Sequence, residues 1–230
     1  MSKPLNILRE LQLKESRMNL IGDSLLSAAF ISYIGPFAKE YRDELVTEKW
    51  VPFIHENKIP MSDPGGPLQV LCTDSEVAKW NTQGLQSDQV SIENGAIVKR
   101  SSRWPLLIDP QLQGIAWIKT MEGGDADRPL QVVRLSNSDI MFKMTRALEN
   151  GFPVLIENMG EKIDATLMPV VARNTMTRGS KKFIKLGDDE VASLFDDRFC
   201  FNAAGKAVYV MAVRQGPTHL MPARERVASS

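Results

Sequence analysis

The apolar residues of this chain follow two different spacings, and the change falls near residue 104. Before that point they recur every three or four positions, as in Leu5, Leu8 and Leu11, which is the spacing of amphipathic helices. After it they come in short unbroken runs bounded by turns. Such runs predict strands that are buried on both faces. The pattern therefore predicts an α/β protein that begins with helices.

The N-terminal part predicts a series of helices separated by turn signals. Residues 5–20 form a short amphipathic segment, and residues 22–24 (Gly-Asp-Ser) resemble the N-cap of a second helix. A third helix is predicted from residue 37 to about residue 50, with Pro52 bending or ending it. Residues 60–67 are rich in proline and glycine, which do not fit a regular element. This loop is therefore the predicted internal boundary.

Two stronger helix starts follow the loop. Thr73 or Asp74 begins one short helix, and Ser87 with Asp88 begins another. In both cases a side-chain oxygen can accept the backbone N–H groups of the first turn, and acidic residues there favour the positive end of the helix.

The apolar runs after residue 104 predict a parallel sheet. Between the second and third runs lies a segment with a helical apolar face, a serine cap before it and Gly151 as its stop. Strand, helix and strand in this order indicate a right-handed crossover between parallel strands. The predicted strands are residues 105–108, 130–135, 152–156, 183–186 and 198–201.

Composition excludes several classes of function. The 28 basic residues balance the 28 acidic ones, so no overall field attracts nucleic acid or anionic lipid. Cys72 and Cys200 are typical of reduced intracellular thiols. His55 and His219 lie in no metal-binding cluster. Neither a secretory signal nor a membrane span is predicted, so we expect a cytoplasmic protein without nucleic-acid or membrane partners.

The turn after the first predicted strand is the candidate phosphate site. Ligands of open parallel sheets bind beyond the carboxyl ends of the strands. A phosphate loop has the pattern G-x-x-x-x-G-K-[ST], in which lysine contacts the phosphates and the hydroxyl binds Mg²⁺. Here Asp109 replaces the first glycine, Gly114 is retained, and Ile115 and Ala116 replace the lysine and the hydroxyl residue. A degenerate loop of Asp109, Pro110, Gln111, Gln113 and Gly114 is therefore predicted to bind no nucleotide tightly. An ordinary strand-to-helix turn is the alternative.

Two polar residues end later strands. Glu157 follows the run 152–156, where an ATPase holds its magnesium or polarises its water. Asn202 follows the run 198–201, where a ring ATPase places a polar sensor of the third phosphate. Acids also end many strands as solvated caps, so both assignments remain open. We assign no catalytic residue and no metal ligand.

Eight longer motifs occur in order along the chain: GDSLLSAAFISYIGPF (22–37), WNTQGLQSD (80–88), SIENGAIV (91–98), RWPLLIDPQLQ (103–113), WIK (117–119), LSNSD (135–139), PVLIENMGEKID (153–164) and KLGD (185–188). Together they resemble the fifth AAA+ module of a dynein heavy chain. The resemblance covers roughly residues 20–202 and implies an α/β wedge, with a P-loop-type sheet flanked by helices, in a six-membered ATPase ring that moves on microtubules. It also implies that this module binds no cofactor, while ATP and Mg²⁺ bind to other modules.

The chain departs from the family at two places. The family usually has glycine where Leu112 stands, and residues 203–230 resemble nothing in the family. We therefore expect residues 1–20 to be a helical remnant or replacement of the stalk helix, residues 21–202 to form the AAA+ module, and residues 203–230 to be a divergent tail for which no fold is predicted. The last strand of the sheet and the helical lid are expected to be missing. A truncated copy or a gene-model fragment would produce this ending.

The leading hypothesis is a module that does not hydrolyse ATP and acts as a rigid spacer between the ring and the stalk of a dynein motor. Its expected partners are neighbouring AAA+ modules, the stalk and dynein complex subunits, with microtubules contacted indirectly. Its expected location is the cytoskeleton, including the axoneme of a cilium or flagellum. An active ATPase with a variant phosphate loop, relying on Glu157 and Asn202, is one alternative. A vestigial or partner-binding fragment is another.

Overall fold

The computed structural model describes residues 3–101, 103–134, 136–158, 164–179, 181–193 and 210–214. The chain divides into two compact units, Met1–Ser101 and Ser102–Ser230. The division coincides with the change of hydrophobic spacing near residue 104. The predicted boundary at residues 60–67 is wrong, because this loop bonds to the first helix of unit 1: the amide of Gly22 donates to the carbonyl of Pro60 over 2.9 Å.

Unit 1 is helical in its described part. The first helix is continuous, so the predicted helix start at residues 22–24 is wrong. The carboxylate of Asp23 accepts hydrogen bonds from the amide and hydroxyl of Ser62 instead of capping a helix. The helices are α1 (Lys3–Tyr33), α2 (Lys39–Asp43), a π-helical segment (Glu44–Trp50), α3 (Val51–Glu56), α4 (Pro67–Leu71), α5 (Asp74–Thr82) and α6 (Gln89–Arg100).

Pro52 does not end the third predicted helix. The backbone stays helical through Glu56, and Pro52 lies in the first turn of α3, just after the π-helical segment. Proline is tolerated in the first turn of a helix because the N–H groups there need no partner within that helix. The wider π-helical turn before it separates α2 from α3 without breaking the helical path.

The two predicted helix starts after the loop are confirmed. Thr73 caps α5 in a capping box, in which its hydroxyl accepts from the amide of Glu76 and the carboxylate of Glu76 accepts from the amide of Thr73. This backbone hydrogen bond from Thr73 is the main reason that the pKa of Glu76 is lowered. Asp88 caps α6 by accepting from the amide of Ser91 over 3.0 Å.

Unit 1 also buries an ion pair. The guanidinium of Arg42 lies 2.9 Å from the carboxylate of Glu93, and both side chains are almost inaccessible to water. The other donors of Arg42 bond to the carbonyls of Gly35 and Phe37 and to the side chain of Asn94. Every donor of a buried guanidinium must find an acceptor, so this network fixes the segment after α1 against α6.

Unit 2 contains the predicted parallel sheet. Its strand order is β1-β7-β3-β2, and each neighbouring pair is parallel. A second sheet, β4-β5-β6, is antiparallel. The elements are β1 (Leu106–Ile108), α7 (Gln113–Gly123), β2 (Gln131–Arg134), α8 (Ile140–Asn150), β3 (Val154–Glu157), α9 (Met168–Val171), β4 (Thr175–Arg178), β5 (Lys181–Leu186), β6 (Asp189–Ser193) and β7 (Val210–Arg214).

Residues 183–186 form a strand as predicted, but in the antiparallel sheet. Only residues 179 and 180 separate β4 from β5, and Arg178 pairs with Lys181. A connection this short closes a hairpin, whereas parallel neighbours need a long crossover. Gly179, with φ of 62°, supplies the left-handed backbone that the turn requires.

The predicted limit of the module at residue 202 needs correction. Residues 210–214, assigned above to the divergent tail, form β7 between β1 and β3. The physical reason is the apolar run AVYVMAV (207–213), which suits a strand in the interior of a sheet. The strand predicted at residues 198–201 lies outside the described residues.

The core of unit 2 lies between α8, the parallel sheet and the second sheet. It includes Val133 of β2, Met144 of α8 and Ile184 of β5, which are almost fully buried. The predicted stop of α8 is confirmed, since Gly151 follows it with φ of 67°. The predicted serine cap is not present, because Asp139 precedes the helix and makes no side-chain cap bond.

Candidate functional site at the carboxyl edge of the parallel sheet

The parallel strands bring the predicted site residues to one edge of the sheet. Ile108 of β1 lies in register with Arg214 of β7, and Arg134 of β2 lies in register with Glu157 of β3. Asp109 follows directly after Ile108. The carboxyl ends of four strands therefore carry two acidic and two basic residues. In open sheets of this type, this edge is the usual place for a ligand.

Asp109 closes the turn between β1 and α7. Its two carboxylate oxygens accept hydrogen bonds from the amides of Gln113, over 3.2 Å, and Ile115, over 2.9 Å. These amides belong to the first turn of α7, where N–H groups lack partners inside the helix. The positive end of the helix also favours a negative group. Asp109 thus occupies the place that a phosphate takes in a working phosphate loop.

The rest of the turn is shaped around this carboxylate. A Cβ atom at Gly114 would lie 3.3 Å from a carboxylate oxygen of Asp109 and 3.2 Å from the side chain of Leu107, so glycine leaves room for the contact. Leu112 has φ of 60° and ψ of 20°, a left-handed conformation that costs a leucine about 1–2 kcal/mol. Glycine adopts this conformation freely. Pro110 and Gln111 are exposed.

The template positions for lysine and hydroxyl offer no polar group. Ile115 is only 6% exposed and forms part of the core, while Ala116 is exposed. Gln113 is exposed and contributes its amide to Asp109. Within the described residues 109–116, the turn therefore carries the carboxylate of Asp109 and no cationic side chain.

Glu157 is buried but paired. Only 5% of this residue is exposed, and its oxygens lie 2.5 Å from the ammonium of Lys119 and 3.0 Å from the guanidinium of Arg134. Burial alone would raise the pKa of Glu157, but the hydrogen bonds and charges of Lys119 and Arg134 outweigh it and lower that pKa. Glu157 is therefore an ionised group whose two oxygens already contact cations.

Sequence reasoning missed Lys119, Arg134 and Arg214. Arg134 could have been found, because it lies near the end of the predicted strand 130–135, and Glu157 follows the next predicted parallel strand. Lys119 lies one and a half turns into α7, and only its contact with Glu157 reveals its role. Arg214 lies in the assumed tail, at the end of β7. Asn202, the predicted sensor, lies outside the described residues.

No cluster of three or more His, Cys, Asp or Glu side chains that could hold a metal ion occurs in the described part of the chain. Asp109 follows β1 and Glu157 ends β3, two strands that are separated by β7, and each carboxylate has its own partners. Within the same described residues, none of the helices has the length and apolar character needed to cross a membrane.

The fold and the site define an α/β module of P-loop type whose phosphate turn is closed by its own carboxylate. A family model described as the ATP-binding dynein motor region matches residues 78–206. A second model, the microtubule-binding stalk of dynein motor, matches residues 9–54. The chain belongs to the family of the ATP-binding dynein motor region. The described part of unit 2 accordingly represents an incomplete α/β fold of the AAA+ type, as predicted.

Curated relatives agree with this assignment. The chain is 46% identical over 180 residues to the dynein alpha chain of the flagellar outer arm from Chlamydomonas reinhardtii. The aligned region covers 78% of this chain and 4% of that relative. It is 45% identical over 180 residues to dynein axonemal heavy chain 17 from Mus musculus, covering 77% and 4%. It is 42% identical over 187 residues to dynein axonemal heavy chain 2 from Homo sapiens, covering 81% and 4%. The chain therefore spans about 4% of the length of the curated relatives it matches.

Proposed function

We propose that this chain corresponds to the fifth AAA+ module of a dynein heavy chain and that its α/β unit does not bind or hydrolyse ATP. In this proposal the module is a rigid spacer that transmits movement between the ATPase ring and the stalk of a microtubule motor. ATP and Mg²⁺ bind to other modules of that motor.

The carboxylate of Asp109 is the observation that carries the proposal. A phosphate at the start of α7 would have to displace it from the amides of Gln113 and Ile115 or sit beside it. Two like charges 4 Å apart repel each other by about 4 kcal/mol at the effective dielectric constant of a protein surface. The missing lysine and hydroxyl remove two further contacts, and a hydrogen bond to a charged group contributes about 1.5–3 kcal/mol. Together these terms disfavour a bound nucleotide.

The surroundings of Glu157 support the same conclusion. An acid that holds Mg²⁺ in an ATPase needs a free oxygen facing the phosphates. Here the two oxygens contact Lys119 and Arg134. Both cations would have to move before Glu157 served a metal ion.

The architecture of unit 1 supports the mechanical part of the proposal. The stalk match at residues 9–54 includes most of α1, a helix of 31 residues. The buried pair of Arg42 and Glu93 ties the segment after α1 to α6. A long helix that is fixed by buried polar contacts at its base is suited to carry displacement with little internal yielding.

The names of the relatives support the proposed partners and location. The relatives are named as flagellar, ciliary and axonemal dynein chains. By this analogy we place the chain in the cytoskeleton of a cilium or flagellum, where neighbouring AAA+ modules, the stalk and dynein complex subunits are its partners. Microtubules are contacted indirectly, through the stalk.

Isothermal titration of the purified chain with Mg-ATP tests the proposal. We expect no saturable heat up to millimolar nucleotide. Saturation in the micromolar range would refute it. An ATPase with a complete phosphate loop, titrated in the same buffer, verifies that the measurement detects binding.

A second candidate, an active ATPase, is favoured by one observation: Glu157 lies at the end of β3, where ATPases place their magnesium-site acid. A turnover assay distinguishes the two. If the chain hydrolyses ATP, Glu157→Gln abolishes turnover; if it is a spacer, both proteins show only background hydrolysis.

A further inference from the structure

Helix α1 changes from exposed to buried at Gly22. Between residues 12 and 21 the side chains are exposed, except that of Asn19, which is half-buried. Gly22 is buried, and Leu26 and Phe30 on the same face belong to the core of unit 1. Residues 12–21 of α1 are therefore largely exposed in this chain, and the buried part of the helix begins at Gly22.

The loop between α3 and α4 contacts α1 at this point through three residues, Pro60, Met61 and Ser62, which we call the clasp. The carbonyl of Pro60 accepts from the amide of Gly22 over 2.9 Å. The amide and hydroxyl of Ser62 donate to the two carboxylate oxygens of Asp23 over 2.9 and 2.7 Å. An amide inside a helix normally donates to the carbonyl four residues earlier, so the bond to Pro60 marks a contact made at the helix backbone itself.

The contact leaves no space for a side chain at residue 22. A Cβ atom there would lie 2.5 Å from the carbonyl oxygen of Pro60 and 2.6 Å from the Cβ atom of Met61. Both neighbours are short and close to the backbone, so they cannot rotate away as the end of a flexible side chain can. Gly22 is the only glycine between residues 3 and 33. The clasp thus fits α1 at one position along the helix.

We propose that the clasp fixes the axial position of α1 relative to unit 1, with Gly22 selecting that position and Asp23 locking it. A slide by one helical turn, about 5.4 Å, would bring Met18 or Leu26 against Pro60. Either residue carries a Cβ atom where none fits. The same slide would separate Asp23 from Ser62, so that the carboxylate of Asp23 and the amide and hydroxyl of Ser62 would lose their hydrogen bonds to each other.

This arrangement defines the place at which a force along α1 is transmitted to unit 1. On the proposed function, in which α1 belongs to the stalk, displacement along the helix enters unit 1 at the clasp and not at the end of the helix. The hydroxyl of Ser27 lies 2.7 Å from the carbonyl of Asp23 in the same helix and 3.3 Å from the carbonyl of Pro67. The position of α1 and the absence of nucleotide binding are separate properties, so each can fail without the other.

Distance measurements between spin labels on the full chain test the proposal. Labels at Ser16→Cys on α1 and Lys79→Cys on α5, both exposed, report the axial position of α1 within unit 1 after Cys72→Ser and Cys200→Ser remove the native thiols. We expect one narrow distance distribution for this parent. Gly22→Ala should move the distribution or add a second maximum about 5 Å away, one helical turn. The control Gly123→Ala, at the end of α7, meets nothing within 4 Å and should leave the distribution unchanged.

Hydrogen exchange on a second variant keeps the test independent of crowding at residue 22. Asp23→Ala removes the lock but improves helix propensity, so a purely helical role would increase protection. In Asp23→Ala we expect the amide of Ser62 to exchange about tenfold faster. When Ser62→Ala is combined with Asp23→Ala, the exchange of the α1 amides should not change further, because both substitutions remove the same interaction. Glu15→Ala, on the exposed part of α1, should leave the Ser62 amide unchanged. Two axial positions in the parent, an unchanged distribution in Gly22→Ala, or unchanged Ser62 exchange in Asp23→Ala would overturn the proposal.

Discussion

The capping role of Asp109 leads to a prediction about both stability and binding. Asp109→Ala removes the acceptor for the amides of Gln113 and Ile115. Loss of a helix cap costs about 0.5–2 kcal/mol, and loss of a negative charge at a helix N-terminus costs about 0.3–1 kcal/mol. We therefore expect unit 2 to lose about 2 kcal/mol of unfolding free energy. Asp109→Asn keeps one oxygen acceptor without the charge, so its loss should be smaller.

Hydrogen exchange read by mass spectrometry measures this loss in each unit separately. A change of 2 kcal/mol corresponds to about 30-fold faster exchange of the α7 amides, since 1.4 kcal/mol is a factor of ten. Helix α6, in unit 1, serves as an internal reference and should not change. The exposed Asp127→Ala is the matched control and should leave α7 exchange unaltered. A loss below about 0.5 kcal/mol for Asp109→Ala would show that the carboxylate does not cap the helix.

The same variant tests the reasoning about nucleotide. Asp109→Ala removes the repulsion but supplies neither lysine nor hydroxyl, so Mg-ATP should still fail to saturate it below the millimolar range. Micromolar binding in this variant would mean that repulsion by Asp109 alone, and not the missing contacts, keeps nucleotide out.

Three further predictions concern single interactions. Arg42→Met leaves the buried carboxylate of Glu93 without its cation, so the unfolding free energy of unit 1, measured in urea, should fall by about 3–5 kcal/mol. The double variant Arg42→Met, Glu93→Leu should regain most of this stability. A loss below about 1 kcal/mol in the single variant would contradict the prediction. Leu112→Gly should be about 1 kcal/mol more stable than Leu112→Ala, the reverse of the usual order, because residue 112 is left-handed. The lowered pKa of Glu157 adds stability above its ordinary value of 4.5 that is lost as pH falls through the lower folded value. The stability difference between the wild type and Glu157→Gln should therefore shrink on acidification below 4.5, and a constant difference would refute the pairing.

The predictions that succeeded rest on local signals. Thr73 and Asp88 were recognised as caps because a capping side chain and its amide lie within three residues of each other. The runs around β1, β2 and β3 were recognised as strands because they are unbroken apolar stretches. The expected burial on both faces is confirmed for β3 but wrong for β1, where Leu106 and Ile108 are exposed. The replacement of lysine and hydroxyl by Ile115 and Ala116 is likewise visible in the sequence alone.

The predictions that failed depend on distant residues. Asp23 resembles a helix cap, but Ser62, 39 residues away, is its partner, so α1 continues through the apparent start. The loop around Pro60 resembles a linker because its composition suits one, yet its backbone bonds to α1. Residues 210–214 join the sheet because a place between β1 and β3 accepts them, and no local rule could indicate that place.

The sequence by itself determined the change from helical spacing to short apolar runs near residue 104, the parallel α/β pattern and the loss of the lysine and hydroxyl of a phosphate loop, because each is set by residues close together along the chain. Only the tertiary structure decided that Asp109 accepts hydrogen bonds from the first amides of α7 and that Lys119 and Arg134 pair with Glu157. The same is true of the close approach between Gly22 and the clasp. These contacts join separate elements, and their geometry depends on how the backbone folds. The carboxylates of Asp23, Asp109 and Glu157 are chemically alike. Their neighbours in space decide whether such a group binds a metal, caps a helix or holds two segments together.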